Sequence, residues 1–238
     1  MLFFYVRHGD PIYDPDSLTP LGERQAEAVG KRLAVHGLDE IYASTSERAK
    51  LTAKPACEIL KKEMQLLDYA NEAHAWREMT MKKDDGKLTW ICAHKQARQI
   101  LSDPEVLALG HEWYTHPAFA EYDYKAGLDR VHAESTQFFH SLGYERIEGT
   151  GKFKVLEDNN KRVALFAHHG FGTLFLSDLL HVPYSTYCMH FDMTHTGVTV
   201  IEFKNEDGIC IPCIKTLSGI SHLYHEGLPT KYGNDLYI

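Results

Sequence analysis

The chain has 238 residues, of which 44% are hydrophobic and 24% charged, ordinary values for a globular protein with a substantial core. Its formal net charge of −8 argues against broad binding of nucleic acid or anionic membranes, although a local group of cations can still hold one phosphate. No run of about 20 apolar residues is present to span a membrane, and Arg7 follows the N-terminus too soon for a signal-peptide core. The five cysteines are odd in number and scattered, so we expect reduced thiols and a cytoplasmic protein.

An apolar run, Phe3-Phe4-Tyr5-Val6, lies near the start of the chain and stops at Arg7-His8-Gly9. Buried strands of open α/β sheets are apolar on both faces and bind ligands at their carboxyl ends, so this pattern predicts a strand leading into a reactive loop. The imidazole of His8 can act there as nucleophile, base or metal ligand. The Arg7 guanidinium is a planar fork suited to phosphate or carboxylate. Taken alone, the three residues are equally consistent with a surface Arg and His after an ordinary strand.

A helix and a second strand are predicted next. Residues 11–16 are rich in turn formers and too broken for a regular element. Thr19 suits an N-cap, Pro20 the first helical position and Gly37 the C′ position, so a helix is expected between them. Residues 38–43 then form a short apolar strand. Strand, helix and strand in this order make a βαβ unit, which predicts a parallel sheet.

Hydroxyl and charged side chains follow the second strand, in Ser44-Thr45-Ser46-Glu47-Arg48. N-capping explains the hydroxyls adequately, and Pro55 in the following helix pattern predicts a kink or a late restart. Arg48 calls for another explanation. Loops that follow parallel strands open at the same sheet edge, so Arg7, His8 and Arg48 are expected to converge on one crevice.

Three motifs occur in this order and spacing: Arg7-His8-Gly9, Leu18-Thr19-x-x-Gly22-x-x-Gln25-Ala26 and Ser44-x-x-x-Arg48-Ala49-x-x-Thr52-Ala53. Together they resemble the histidine phosphatase superfamily, the phosphoglycerate-mutase-like proteins. The resemblance predicts a second His-Gly after a late buried strand, and the sequence has Val163–Ala167 followed by His168-His169-Gly170. It implies an α/β fold, a three-layer sandwich with a mostly parallel central sheet, helices on both faces and an inserted helical cap.

Residues 1–238 are expected to form one domain of this kind, in which residues 74–150 match the family poorly. This stretch holds all three tryptophans and patterns typical of helices near residues 94–103 and 126–142. One interpretation is a helical layer with aromatic side chains in its core. We favour a cap whose aromatics shape substrate choice, because the family is similarly elaborated there and inserted segments near active sites often act as lids.

Two β-hairpins are predicted in the second half of the chain. Their paired segments are residues 153–156 with 162–167, joined by Asp158-Asn159-Asn160, and residues 197–203 with 209–217, turning at residues 205–208. Cys210 and Cys213 have CxxC spacing within this second pattern, and a strand explains them better than metal or redox chemistry. The tail from Tyr224 to Ile238 has no informative motif.

Phosphoryl transfer needs an in-line nucleophile, positive donors around the equatorial oxygens and an acid for the leaving group. The resemblance assigns His8 as the nucleophile, which forms a phosphohistidine that water then hydrolyses. Arg7, Arg48 and His169 would surround the phosphoryl group with charge-assisted hydrogen bonds, so neither metal nor cofactor is expected. His169 matches the family position because it directly precedes the glycine. His168 is therefore predicted to be a supporting or packing residue.

The acid is assigned by a weaker resemblance. Asn71-Glu72 resembles the family's step after the second helix, which makes Glu72 the predicted general acid and a catalytic residue beside His8 and His169. The glycine that follows in that motif is missing, and Trp76 stands near its place. Glu78 is therefore the alternative acid.

The branch and the reaction are also read from the resemblance. Acid phosphatases and phytases of the family have an Asp directly after the second histidine, where this chain has Gly170, so it resembles the other branch. Asp10-Pro11 departs from the usual Glu/Gln-Thr, and no Arg or Lys cluster supplies the second phosphate clamp of a mutase. We therefore predict a phosphomonoester hydrolase for a small phosphorylated substrate. A mutase-type phosphotransferase and a non-catalytic phosphate-binding module are the alternatives, and the substrate and oligomeric state stay open.

Overall fold

The computed structural model describes residues 1–230, so residues 231–238 of the tail lie outside the described residues. The strands are, in chain order, β1 Leu2–Arg7, β2 Pro11–Tyr13, β3 Asp16–Leu18, β4 Glu40–Ser44, β5 Met64–Leu67, β6 Thr80–Lys82, β7 Leu88–Trp90, β8 Tyr144–Ile147, β9 Lys152–Val155, β10 Arg162–Ala167, β11 Val198–Glu202, β12 Ile209–Cys210 and β13 Cys213–Gly219. The α-helices are α1 Pro20–Ala34, α2 Glu47–Leu60, α3 Glu72–Glu78, α4 Lys95–Leu101, α5 Pro104–Leu109, α6 Tyr124–Ser141, α7 His169–Leu179, α8 Tyr184–His190 and α9 Ser221–His225. Within this part of the chain, no helix is long and apolar enough to cross a membrane.

The chain divides into two compact units. The first unit contains Met1–Asn71, Asp158–His169 and the chain from Met193 onward. The second contains Glu72–Glu157 and Gly170–Asp192.

The first unit is built on a six-stranded sheet with the order β13-β11-β1-β10-β4-β5. β10 runs parallel to both β1 and β4, and β5 runs parallel to β4. β11 is antiparallel to its neighbours β1 and β13. Arg7 is in register with Ala167, and Phe166 with Ala43, so the carboxyl ends of β1, β10 and β4 lie at one edge of the sheet. The predicted α/β fold with a mainly parallel central sheet is confirmed.

The apolar pattern of the strands and of the first two helices explains the core of this unit. One cluster of buried side chains joins the sheet to α1 and α2: Val6, Val29, Leu33, Leu38, Ile41, Ala43, Ala53, Ala56, Cys57, Ala164, Phe166 and Val198. Fully burying a Val, Leu, Ile or Phe side chain stabilises the fold by about 1.5–3 kcal/mol. This cluster therefore fixes the strands whose ends carry the motif residues.

Helix α1 begins as predicted, because the Thr19 hydroxyl accepts a hydrogen bond from the Gly22 N–H at 3.0 Å. It ends earlier than predicted, at Ala34. Gly37 lies in the following turn with φ +77°, a conformation that favours glycine. Helix α2 continues through Pro55, so the predicted late restart does not occur.

Residues 11–16 are more regular than predicted. β2 and β3 form an antiparallel hairpin in which Tyr13 is in register with Asp16. The turn formers Asp14 and Pro15 occupy the two-residue loop, and the flanking residues pair as strands. The prediction of an irregular segment is therefore wrong, since turn residues marked the tip and not the whole stretch.

The second unit has an aromatic core around Trp113. The Trp113 side chain is fully buried, and its ring centre lies 5.2–5.7 Å from those of Phe119, Tyr124 and Tyr184. Helices α4 and α6 lie close to the positions predicted from the sequence. Trp113, Phe119 and Tyr124 of the 74–150 stretch thus build a core, while the role of the stretch as a cap stays a prediction.

One of the two predicted hairpins is wrong. β9 pairs antiparallel with β8, with Tyr144 in register with Val155, whereas β10 belongs to the parallel sheet. Residues 163–167 of β10 are all apolar and buried, a pattern that suits a parallel strand inside a sheet. The turn-forming residues Asp158-Asn159-Asn160 before β10 had suggested a hairpin instead. The second predicted hairpin is present in part, because β11 pairs antiparallel with β13, whereas residues 209–210 form the separate strand β12. Cys210 and Cys213 lie in β12 and β13 as free thiols.

Candidate active site

His8 lies directly after β1 and is held by its backbone on two sides. Its N–H donates to the carbonyl of Ala167 at 2.9 Å, and its own carbonyl accepts from the Thr196 N–H at 3.2 Å. The side chain is buried, and Nδ1 lies 2.7 Å from the carbonyl oxygen of Gly9. A carbonyl oxygen only accepts, so Nδ1 carries the proton and donates. The lone pair of the neutral ring is then on Nε2, the nitrogen that can act as a nucleophile.

The charge state of His8 follows from its surroundings. Burial lowers its pKa well below the usual 6.5, and the nearby His168, Arg7 and Arg48 lower it further because they disfavour a second positive charge. The lowered pKa keeps His8 neutral at pH 7. A neutral imidazole is the form that a covalent phosphoryl-transfer mechanism requires.

The glycines of the first two motifs allow the loop after His8 to pack against helix α1. A Cβ at Gly9 would lie 2.7 Å from the carbonyl oxygen of Gly22, and a Cβ at Gly22 would lie 2.2 Å from that of Asp10. Neither approach leaves room for a side chain. The close contact explains why glycine occurs at both positions.

Polar residues of the second and third motifs hold the same loop. The Gly9 N–H donates to the Thr52 hydroxyl at 3.0 Å, and the Asp10 N–H donates to the Gln25 side-chain oxygen at 2.8 Å. Thr52 donates in turn to the carbonyl of Arg48 at 2.7 Å. The motif spacing therefore reflects one hydrogen-bonded arrangement around His8.

Arg7 and Arg48 both lie near the histidines of the first unit. Arg7 Nη1 donates to the carbonyl of Met193. Arg48 lies in the first turn of α2 and donates from Nη1 to Asp16 Oδ1 at 2.8 Å. The positive charges of both guanidiniums lower the pKa of His8 and of His168, while their convergence on one crevice stays a prediction.

The tandem histidines differ in position. The ring of His168 lies 5.2 Å from that of His8, measured between ring centres, and is fully buried. His168 Nε2 is 2.8 Å from the Ser44 hydroxyl and 3.2 Å from that of Ser46, while its carbonyl accepts from the Tyr5 hydroxyl at 2.7 Å. His169 is the half-buried first residue of α7. The structure thus places His168, assigned above to a supporting role, beside His8, and the phosphate-binding role of His169 stays a prediction.

The sequence reasoning missed a third histidine next to His8. The ring centre of His195 lies 5.6 Å from that of His8, and its Nδ1 lies 3.5 Å from Asp10 Oδ1. Asp10 Oδ2 also accepts from the Thr19 hydroxyl at 2.7 Å. The departure from the family pattern at Asp10 was the available signal, since an altered residue two positions after His8 has an altered partner.

Glu72 and Glu78 belong to the second unit, and they have different partners there. Glu72 begins α3, and its Oε1 accepts from the Gly170 N–H at 2.8 Å, in the first turn of α7. Glu78 is held by Arg130 through two hydrogen bonds of 2.7 Å. Both carboxylate oxygens of Glu78 are thus occupied by one guanidinium, which argues against Glu78 as an acid.

The chain is similar to known proteins in sequence pattern and in fold. The family model for the histidine phosphatase superfamily (branch 1) matches residues 4–211, while no curated protein sequence matches. A phosphoserine phosphatase of Entamoeba histolytica, solved with 3-phosphoglyceric acid, is similar in structure with a TM-score of 0.59 and 18% identity, over 93% of this chain and 98% of that one.

Two further solved structures are similar over most of the chain. An α-ribazole phosphatase of Shigella flexneri has a TM-score of 0.58 and 16% identity, over 92% of this chain and 97% of its own. A mycobacterial glucosyl-3-phosphoglycerate phosphatase has a TM-score of 0.57 and 18% identity, over 92% and 99%. These likenesses concern the fold, and the family model covers most of the sequence. The chain belongs to the histidine phosphatase superfamily, branch 1.

Proposed function

We propose that the protein is a phosphomonoester hydrolase that acts on a small phosphorylated metabolite through a phosphohistidine at His8. The observation that supports this most is the state of His8. Its Nδ1 is committed to the Gly9 carbonyl, and its pKa is lowered, so a neutral ring presents Nε2 as the nucleophile. Superfamily membership and the phosphatase folds that it resembles support the same reaction class.

In this mechanism, Nε2 of His8 attacks the phosphorus while the bond to the leaving oxygen breaks and an acid protonates that oxygen. Water then attacks the phosphohistidine, which releases inorganic phosphate and restores His8. Arg7 and Arg48 stabilise the charge on the equatorial oxygens. Because two guanidiniums supply this charge, the proposal includes neither metal nor cofactor.

An imidazole completes the set of donors, and the two tandem histidines are the candidates. The contact of His168 with His8 favours His168 for this part over the predicted His169. We expect His168→Asn to lower kcat by roughly 10²–10³, the usual cost of losing one preorganised donor. His169→Asn, the same change at the next position, is expected to cost less than about tenfold.

The two variants are compared by kcat on one substrate, with thermal unfolding to verify that each is folded. A larger loss in His169→Asn would restore the role that the sequence resemblance assigns. Equal losses would mean that both rings are required, and the proposed distinction between them would be dropped.

Glu72 stays the predicted general acid, on the strength of the resemblance. Residues 74–150 stay the predicted cap in a single-domain protein, and the substrate is proposed to be a small phosphomonoester. One of the similar structures is a complex with 3-phosphoglyceric acid, and another is a glucosyl-3-phosphoglycerate phosphatase, which supports a small phosphorylated compound as the substrate class. They do not select one substrate.

The proposed function is tested by measuring phosphate release from a panel of phosphomonoesters, with and without excess chelator. We expect hydrolysis of at least one member, with unchanged turnover in chelator. Activity that is lost in chelator and restored by Mg²⁺ or Zn²⁺ would contradict the metal-free mechanism. Transfer of the phosphoryl group to an added alcohol or phosphoglycerate, with little release of phosphate, would favour a mutase. Phosphate binding without turnover on any member would favour a binding module.

A further inference from the structure

The β2–β3 hairpin brings a carboxylate onto Arg48, one of the two proposed phosphate-binding guanidiniums. Asp16 Oδ1 accepts from Arg48 Nη1 at 2.8 Å, and Oδ2 accepts from the Glu47 N–H, also at 2.8 Å. Both oxygens of one carboxylate thus bind consecutive residues at the start of α2. The Tyr13 ring of the same hairpin lies beside the guanidinium, with its centre 5.4 Å from the Arg48 Cζ.

This pair differs from an ordinary surface ion pair, which contributes little because solvent screens it and its long side chains are mobile. The Arg48 side chain is only 11% exposed and that of Asp16 31% exposed. A carboxylate at the N-terminus of a helix is also favoured by the helix dipole. The arrangement therefore holds the guanidinium in one orientation.

The backbone of Arg48 is tied to the loop that carries His8, because Thr52 donates to the Arg48 carbonyl and accepts from the Gly9 N–H. The positive charge of Arg48 lowers the pKa of both His8 and His168. A guanidinium has five N–H groups in a fixed planar fork, so a bond that fixes one of its nitrogens also sets the direction of the others. A rigidly held guanidinium stabilises a developing charge better than one that must reorient during the reaction.

We propose that Asp16 is a positioning residue for phosphate recognition: it acts through Arg48, whose guanidinium it orients toward the phosphoryl group at His8. This inference rests on the proposed function. Asp16 itself belongs to none of the three motifs, so neither the sequence patterns nor the resemblance assigns it a role.

A double-mutant cycle tests the proposal with Asp16→Ala, Arg48→Ala and the double variant. Arg48→Ala should cost roughly 10²–10³ in kcat/KM, because the lost donor stabilises the transition state. Asp16→Ala should lower kcat/KM by about 10- to 100-fold, the scale of a misplaced catalytic group. In the Arg48→Ala background, the same change should cost less than about twofold, because residues that act through one another are not additive.

Asp14→Ala is the matched control, since Asp14 is an exposed aspartate in the same hairpin. It removes an equal charge two residues away and should leave kcat/KM within about twofold of the wild type. Thermal unfolding of every variant measures any damage to the fold, and Asp16→Asn provides a second variant that preserves side-chain shape. If Asp16→Ala acts only by impairing folding, it should lower activity by the same factor in the wild type and in Arg48→Ala. The double-mutant cycle detects this as additive losses.

The proposal is overturned if Asp16→Ala and Asp16→Asn both match the wild type, or if the losses from Asp16 and Arg48 are additive. Binding of inorganic phosphate, measured by titration calorimetry on the same variants, gives a readout that does not require turnover. If the wild type binds phosphate but hydrolyses no ester, the proposed function is refuted. The role of Asp16 is retained in that case if the losses of phosphate affinity in the Asp16 and Arg48 variants are non-additive.

Discussion

Replacing His8 with alanine is expected to abolish turnover, with a loss of roughly 10⁵–10⁶ in kcat, the scale seen when the nucleophile of a covalent mechanism is removed. The proposed reaction has no alternative route, because the phosphoryl group must form a bond to Nε2 before water can attack it. The same variant should accumulate no phosphohistidine. Rapid quenching in base, with substrate labelled in its phosphoryl group, measures both the phosphate released and the phosphohistidine formed. A basic quench is needed because phosphohistidine is acid-labile.

A matched control is His36→Ala, because His36 is an exposed histidine of the same unit. It should retain normal turnover and normal labelling. Thermal unfolding and the circular dichroism of His8→Ala show whether the loss arises from chemistry or from the cavity left by a buried ring. Label found on another residue in the wild type, or full activity in a folded His8→Ala variant, would refute the assignment.

The lowered pKa of His8 adds a pH signature to this prediction. An ordinary histidine protonates as the pH falls through about 6.5, and its nucleophilicity is then lost. Burial and the adjacent cations lower the pKa of His8, so it stays neutral across that range. The rate at which His8 is phosphorylated should therefore not fall by half near pH 6.5, because His8 does not become protonated there.

Replacing Glu72 with glutamine is expected to slow hydrolysis of an alkyl phosphomonoester by roughly 10²–10⁴, the usual contribution of a general acid. An alkyl alkoxide is a poor leaving group without a proton, whereas p-nitrophenolate has a low pKa and leaves nearly unaided. The same variant should lose far less on p-nitrophenyl phosphate while phosphorylation of His8 limits the rate. The ratio of the two losses is the measurement.

Glu78→Gln is the control for this experiment, because Glu78 is held by Arg130 in the second unit. Breaking that pair should reduce thermal stability, and both substrates should be affected alike. Equal losses on both substrates in Glu72→Gln would make Glu72 a structural residue that accepts a hydrogen bond from the Gly170 N–H. If Glu78→Gln instead slows hydrolysis of the alkyl ester much more than that of p-nitrophenyl phosphate, Glu78 is the general acid.

Much of the fold was predictable from local patterns in the sequence. Apolar runs identified β1 and β10, because both faces of these strands are buried in the sheet. Capping chemistry located the start of α1 at Thr19, where the hydroxyl does bind the helix N-terminus. Each of these signals depends on neighbours in the chain, so sequence reasoning could detect it.

Gly9 and Gly22 show how the motifs recorded a tertiary contact. The backbones approach so closely that neither position has room for a Cβ, so the contact is visible in the sequence as two motif glycines. Arg7, His8 and Arg48 were likewise predictable as neighbours, since parallel strands open their loops at one sheet edge.

Other features were decided by the tertiary structure. The strand β10 pairs with β1 and β4, which are far from it in the chain. The contacts of Asp16 with Arg48, of His195 with Asp10 and of Glu78 with Arg130 also join residues far apart in the chain. His168 is adjacent to His169 in the sequence, yet only the backbone path after β10 places its ring against His8. The sequence by itself thus determined the α/β sheet, the motif loops and the candidate nucleophile, because burial and capping act locally. Which polar side chains pair with one another depends on how the loops and hairpins close in space, and a single sequence carries no periodic signal for that closure.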